Sequence, residues 1–191
     1  MLTDREIIMA DAAAPKVLDT EKFVQDILAS VERDREREIV ARRFGLFDRR
    51  ETLEQIGELL GITRERVRQL EKSVVARFKV SAEQGQLLHI KEVEAALSEQ
   101  LKRMGDAARV SSLAAKVTAE NSKTDQSRVI FLATLCPNLS VIEEDDHFYQ
   151  AVSLTSVRDA ATVKADVTKL ADAIKKIGEP TTIDDAAKAA N

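Results

Sequence analysis

The sequence predicts a mainly α protein with one small β-hairpin. Three observations carry that prediction. Apolar residues recur at helical spacing through most of the chain, which has only 6 Gly and 3 Pro in 191 residues. Between Leu53 and Lys72 two short amphipathic segments meet at a glycine, with the spacing of a helix-turn-helix. Near residue 140 the apolar period falls to two around Asp145-Asp146, the pattern of a hairpin that follows three helices in a winged helix. The expected order is a helix-turn-helix domain, a winged-helix domain, and the start of a candidate second winged-helix repeat.

Residues 1–17 lack sustained periodicity and read as a flexible leader. "LDTEKFVQDILASV" reads as a helix capped by Asp19 or Thr20, with Phe23, Ile27 and Val31 on one face. "RDREREIVARRFGLF" continues with Ile39, Val40, Arg43 and Phe44, and Gly45 is a natural stop. "FDRRE" is a polar loop. "TLEQIGELL" is a short helix capped by Thr52, with Gln55 placed for a capping box. Gly61 ends it, and the next helix starts after Thr63. These elements make up the first domain, 18–80.

Residues 81–87 read as a linker, with a helical extension as the alternative. The winged-helix domain spans 88–155. Its first helix carries the stripe Ile90, Val93, Leu97 and Leu101. "RVSSLAAKVTAE" and "DQSRVIFLATLC" supply the second and third helices, and "LSVIEEDDHFYQAVSL" the hairpin. In 156–191 the order of a periodic helix, a glycine and a capped helix recurs. Aligning Gly178 with Gly105 places Ile183 on Val110. This second copy stops before a third helix and hairpin, so the chain reads as a fragment of a longer protein.

The totals exclude several classes. No run of eighteen apolar residues appears, which argues against a membrane span, and the N-terminus lacks the pattern of a secretory signal. A lone Cys136 cannot make an internal disulfide, which fits a reducing cytoplasm. His89 and His147 lie in different elements and, with one cysteine, offer no zinc spacing and no catalytic partner. No glycine-rich phosphate loop is present. The expectation is a non-enzyme with no metal and no cofactor. Net charge is -4, yet residues 32–79 hold 13 Lys/Arg against 10 Asp/Glu while residues 88–154 hold 7 against 10. A basic segment in an acidic chain points to a polyanion at one part and to another partner elsewhere.

The helix-turn-helix meets several demands within eighteen residues. Ile56 and Leu60 face inward, Gly57 permits a close crossing, Gly61 allows positive φ, Ile62 plugs the turn, and Val67 and Leu70 bury the second helix. At roughly 100° per residue, Arg64, Glu65, Arg68, Gln69 and Lys72 share one sector, while Val67, Leu70, Val74 and Phe78 share the opposite side. Such a front suits a major groove. Arg matches guanine edges, Gln adenine, and Glu the cytosine amino group. Thr63 caps the helix and turns its first N–H groups toward phosphate, and Arg66 lies to the side, better placed for phosphate than for bases. A Glu65–Arg68 salt bridge on a solvated charged face is the plain alternative.

At these residues the sequence resembles region 4 of the main bacterial RNA polymerase sigma factor family, through "RFGL", "TLEQIGELLGITRERVRQLE" and the run-on to "ARF". The resemblance covers residues 20–79. It implies a module that binds the minus-35 promoter element as duplex DNA and docks on the flap of the polymerase β subunit. It also implies base contacts by Arg64, Glu65 and Gln69, with Arg68 and Lys72 nearby, and N–H groups of Thr52 and Leu53 near phosphate. A working sigma factor further needs aromatics that trap flipped bases; this chain has no Trp and one Tyr, Tyr149, and no such module. The second unit more loosely resembles the winged-helix domain of the polymerase delta subunit. Its acidic hairpin, Glu143 to Asp146, would repel phosphate and suits a protein contact. A single helix-turn-helix binds weakly, so a homo-oligomer, a polymerase partner or further repeats are expected to add affinity.

Overall fold

The computed structural model describes residues 17–190, so the leader expected at 1–17 lies outside the described residues except for Val17. Helix α1 (Thr20–Ala29) begins at Asp19, whose carboxylate accepts the Lys22 N–H at 3.0 Å. A turn at 30–33 separates it from α2 (Asp34–Phe44). Gly45 ends α2 with φ 66°, and a Cβ there would lie 2.8 Å from the Arg50 nitrogen. Helix α3 (Leu53–Leu60) has the expected capping box: Thr52 Oγ1 accepts the Gln55 N–H at 3.2 Å, and Gln55 Oε1 accepts the Thr52 N–H at 2.9 Å. Helix α4 (Arg64–Glu83) runs past Lys79 into the segment read as linker, burying Ala82.

The winged-helix order follows: α5 (Ile90–Arg103), β1 (Ala107–Arg109), α6 (Val110–Val117), α7 (Lys123–Leu135), β2 (Leu139–Ile142) and β3 (Ala151–Leu154). The stripe Ile90, Val93, Leu97 and Leu101 is buried throughout. The sheet is antiparallel, ordered β1-β3-β2, with Val152 opposite both Ala108 and Val141. Strand β1 was not expected. Three residues carry no period, and this strand exists because β3 supplies its pairing. The tail forms α8 (Ala160–Ile177) and α9 (Ile183–Ala190), packed on each other. Gly178 takes φ 72°, as Gly105 takes φ 88°, and each glycine is followed five residues later by the start of a helix.

Helix α7 is the hub. Residues 128–133 are buried in succession, so the second half of the helix has no solvent stripe, the mark of a segment enclosed by its neighbours. It packs on α1, α2, α4, α5, α6 and β2. Phe131 meets Phe44 and Phe78 edge-on, at 5.1 and 6.2 Å between centroids. Arg128 is buried with its charge matched: Nε donates to the Leu46 carbonyl at 2.8 Å and Nη2 pairs with Glu21 at 2.8 Å. One apolar cluster thus runs from α1 through the end of α4 into α7 and β3. The third helix of the winged unit is its centre, enclosed rather than presented to a groove.

Candidate nucleic-acid interface

A second, smaller cluster holds the helix-turn-helix together. Ile39, Ile56 and Val67 are fully buried, flanked by Leu53, Leu60, Ile62 and Leu70. Here α2, α3 and α4 meet. Gly57 lies against the turn itself: a Cβ on it would fall 2.7 Å from the Ile62 carbonyl oxygen. The Ile62 N–H donates to the Gly57 carbonyl at 2.9 Å, and Gly61 takes φ 63° to let the chain reverse. An Arg35 guanidinium nitrogen donates to the Leu60 carbonyl, satisfying one of the orphaned acceptors at the end of α3. Sequence reasoning missed that role, because 25 residues separate the two groups.

This frame projects the first turns of α4 outward. Thr63 Oγ1 accepts the Arg66 N–H at 3.2 Å, fixing the helix start. Arg64, Glu65, Arg66, Gln69 and Lys72 are exposed and Arg68 is half-exposed, while Val67 and Val74 are buried behind them. The two faces predicted from the sequence are therefore the two faces of the helix. None of the expected base-facing groups is packed into the body of the protein.

The front is internally wired. Glu65 is the centre: Arg68 donates to both of its carboxylate oxygens, at 2.8 and 2.6 Å, and Gln69 Nε2 donates at 3.2 Å. The Arg68 bond, aided by Gln69, holds the Glu65 carboxyl at about 2, against an ordinary 4.5. Arg64 pairs with Glu54 at 3.0 Å, a partner one helix back that the helical rotation of α4 alone could not show. Arg66 Nη1 reaches Gln69 Oε1 at 3.5 Å. Lys72 makes no ion pair among the described residues, and its charge acts on Glu65 through space. Thr52 lends its own N–H to the capping box, and Leu53 opens α3, where first-turn N–H groups have no helical acceptor.

The hairpin loop is arranged differently. Glu143, Glu144, Asp145 and Asp146 are all exposed. Asp145 is bound by Lys164 of α8 at 2.6 Å and by the His147 and Phe148 N–H groups at 2.9 and 3.0 Å, which hold its carboxyl at about 2. His147 contributes its backbone there, and His89 is far off in sequence, stacked on Phe23 at 4.3 Å with Nε2 2.8 Å from Asp26. Cys136 is buried, which pushes its thiol upward, away from thiolate chemistry.

Comparison with known proteins bears on this geometry. The family described as Sigma-70, region 4, matches residues 33–79, which are α2, α3 and most of α4. The chain is similar to an RNA polymerase sigma factor SigA of a Bacillus species, 38% identical over 80 residues, 41% of this chain and 20% of that protein. It is also similar to RNA polymerase sigma factor sigB of Arabidopsis thaliana, 48% identical over 46 residues, 24% of this chain and 8% of that protein. The chain thus spans a fifth or less of the length of these relatives. Among the described residues no helix is long and apolar enough to cross a membrane. Together these findings support a DNA-binding, transcription-related helix-turn-helix protein.

Proposed function

We propose that the chain reads a promoter-like duplex in a sequence-specific way, with the first turns of α4 in the major groove. Arg64, Glu65, Arg68 and Gln69 contact base edges. Thr52, Leu53, Thr63, Arg66 and Lys72 hold the phosphates on either side. The single observation that carries this reading is the exposed, hydrogen-bonded face of α4, locked from behind by Val67, Ile56 and the Gly57 contact. On meeting DNA, Glu65 exchanges Arg68 for a cytosine amino group, and the freed guanidinium turns to a guanine. Residues 18–80 act as the reading module and 88–155 as the part that meets proteins, RNA polymerase among them. The enclosed α7 and the acidic hairpin loop support that division, since neither suits a second grip on phosphate.

The test is selection of bound duplexes from a random pool, with and without RNA polymerase. The reading predicts an enriched site that Arg64→Ala or Gln69→Ala relaxes by about 1–3 kcal/mol per contact. Equal, weak binding to every duplex would sink it.

One observation favours a second reading, a polymerase-binding accessory factor without base readout. Every expected base reader is already paired within the protein, Arg64 with Glu54 and Arg68 and Gln69 with Glu65. That reading predicts capture of polymerase that survives Arg64→Ala and Gln69→Ala unchanged.

A further inference from the structure

We propose that Glu54 is a specificity-determining residue that acts through Arg64: its carboxylate sets the Arg64 guanidinium for one guanine edge and touches no base itself. The proposal rests on the DNA reading above and deepens it at one residue and one base pair. Among the described residues, Glu54 is the only group outside α4 paired with a side chain of the reading face. The pairs Glu65–Arg68, Glu65–Gln69 and Arg66–Gln69 all lie within α4, three or four residues apart, and move with that helix. The Arg64–Glu54 pair crosses from α4 to α3, with Nη1 3.0 Å from Oε1.

The carboxylate is itself held by the frame. Glu54 is the second residue of α3, inside the turn set by the Thr52–Gln55 capping box. Gly57, one turn on, seats α3 against the Ile62 carbonyl, so the start of α4 keeps a fixed place relative to Glu54. The pair therefore ties the first side chain of the reading helix to the helix behind it.

The geometry leaves Arg64 usable. Glu54 takes Nη1, while Nε and Nη2 make no hydrogen bond among the described residues. Two parallel donors are what the O6 and N7 atoms of a guanine accept, and this edge supplies them. Arg68 differs: both its Nε and its Nη2 donate to Glu65, so the same edge is filled. Arg64 can meet a guanine without leaving its partner, and Arg68 cannot.

The side chains of Arg64 and Glu54 are 68% and 53% exposed, and an ion pair so open adds little to the stability of the free chain. Its consequence lies in binding. A long side chain already held in place loses less freedom on contact. A carboxylate here otherwise works against DNA, because it stands in the first turn of α3 beside the N–H groups proposed to hold phosphate. The two effects have opposite signs: discrimination is gained and general affinity is lost.

Binding of the whole chain to the selected duplex, to its single-base variants and to an unrelated duplex, at low salt, tests this. Glu54→Ala should lose about tenfold in discrimination at the one base pair that Arg64→Ala also ceases to read. It should keep discrimination at the base pair read by Gln69, and bind the unrelated duplex about twofold more tightly. Glu54→Gln keeps an acceptor oxygen without the charge; it should gain as much on the unrelated duplex and retain more of the discrimination. Both variants lose a carboxylate that favours the start of α3, so an equal, small fall in melting temperature is expected of both. In an Arg64→Ala background, Glu54→Ala should change discrimination no further. A Glu54→Ala protein that discriminates as well as wild type, or loses discrimination at every base pair alike, or whose effect adds to that of Arg64→Ala, overturns the proposal and leaves the DNA reading in place. A wild type that discriminates at no base pair overturns both.

Discussion

Replacing Gly57 by alanine sets two effects against each other. Gly57 sits inside α3, and a glycine-to-alanine change in a helix ordinarily stabilises by about 0.8–1 kcal/mol. Here the new Cβ would lie 2.7 Å from the Ile62 carbonyl oxygen, with the Arg64 nitrogen at 3.5 Å and the Thr63 carbonyl carbon at 3.6 Å. All three are backbone atoms of the turn and of the start of α4, so no side chain can swing aside. Overpacking of this kind costs about 1–3 kcal/mol, which outweighs the helix preference and leaves a net loss of about 1 kcal/mol. In a chain of this size that lowers the melting temperature by roughly 2–4 °C. The overlap is relieved by moving α4 off α3, which tilts Arg64, Glu65, Arg68 and Gln69 away from their shared frame. Gly61→Ala is the control: its φ of 63° strains alanine, yet a Cβ there meets nothing within 4 Å, so stability falls by about 1 kcal/mol while the reading face stays in place. Circular dichroism melts and binding to the selected duplex measure both quantities. Gly57→Ala should lose discrimination among duplexes at temperatures where it is fully folded; Gly61→Ala should keep it. A Gly57→Ala protein that melts higher than wild type and binds as well would refute the reasoning.

Further outcomes follow from the same geometry. Glu65 has its carboxyl lowered to about 2 by Arg68, so its contribution is complete above the ordinary value of 4.5 and is lost as pH falls toward about 2. A carbon-detected NMR titration should place its midpoint near 2, and Arg68→Ala should return it toward 4.5. Lys72→Ala should weaken binding to all duplexes alike and reduce the salt slope by about one, read from binding isotherms at several salt concentrations. Phe131→Ala removes a fully buried ring that touches Phe44 and Phe78, and should cost about 3–5 kcal/mol. Because α7 joins both units, denaturant melts should keep a single transition at lower midpoint; two separated transitions would contradict a shared core.

Much of this protein was legible from local chemistry. The caps at Asp19, Thr52 and Thr63, the left-handed glycines 45 and 61, and the opposed faces of α4 each depend on groups within a few residues of one another. A cap needs only its own helix, and a stripe only its own period, so the residues announce them. Even the close approach at Gly57 follows from the spacing of one short motif. Pairing across distance was not legible. Strand β1 is three residues that become a strand only against β3. Arg64 finds Glu54, Arg35 finds the end of α3, and Lys164 finds Asp145, each through a fold that brings separate elements side by side. The unbroken apolar run of α7 at residues 129–133 is visible in the sequence, but which surfaces enclose it is not. Burial there depends on α1, α2, α4, α5 and α6 all packing against it. Sequence alone settled which face of α4 is charged and exposed; only packing decided that the winged unit's third helix would serve as the core of the molecule, since an apolar surface has no directional preference and takes whatever partner the chain folds against it.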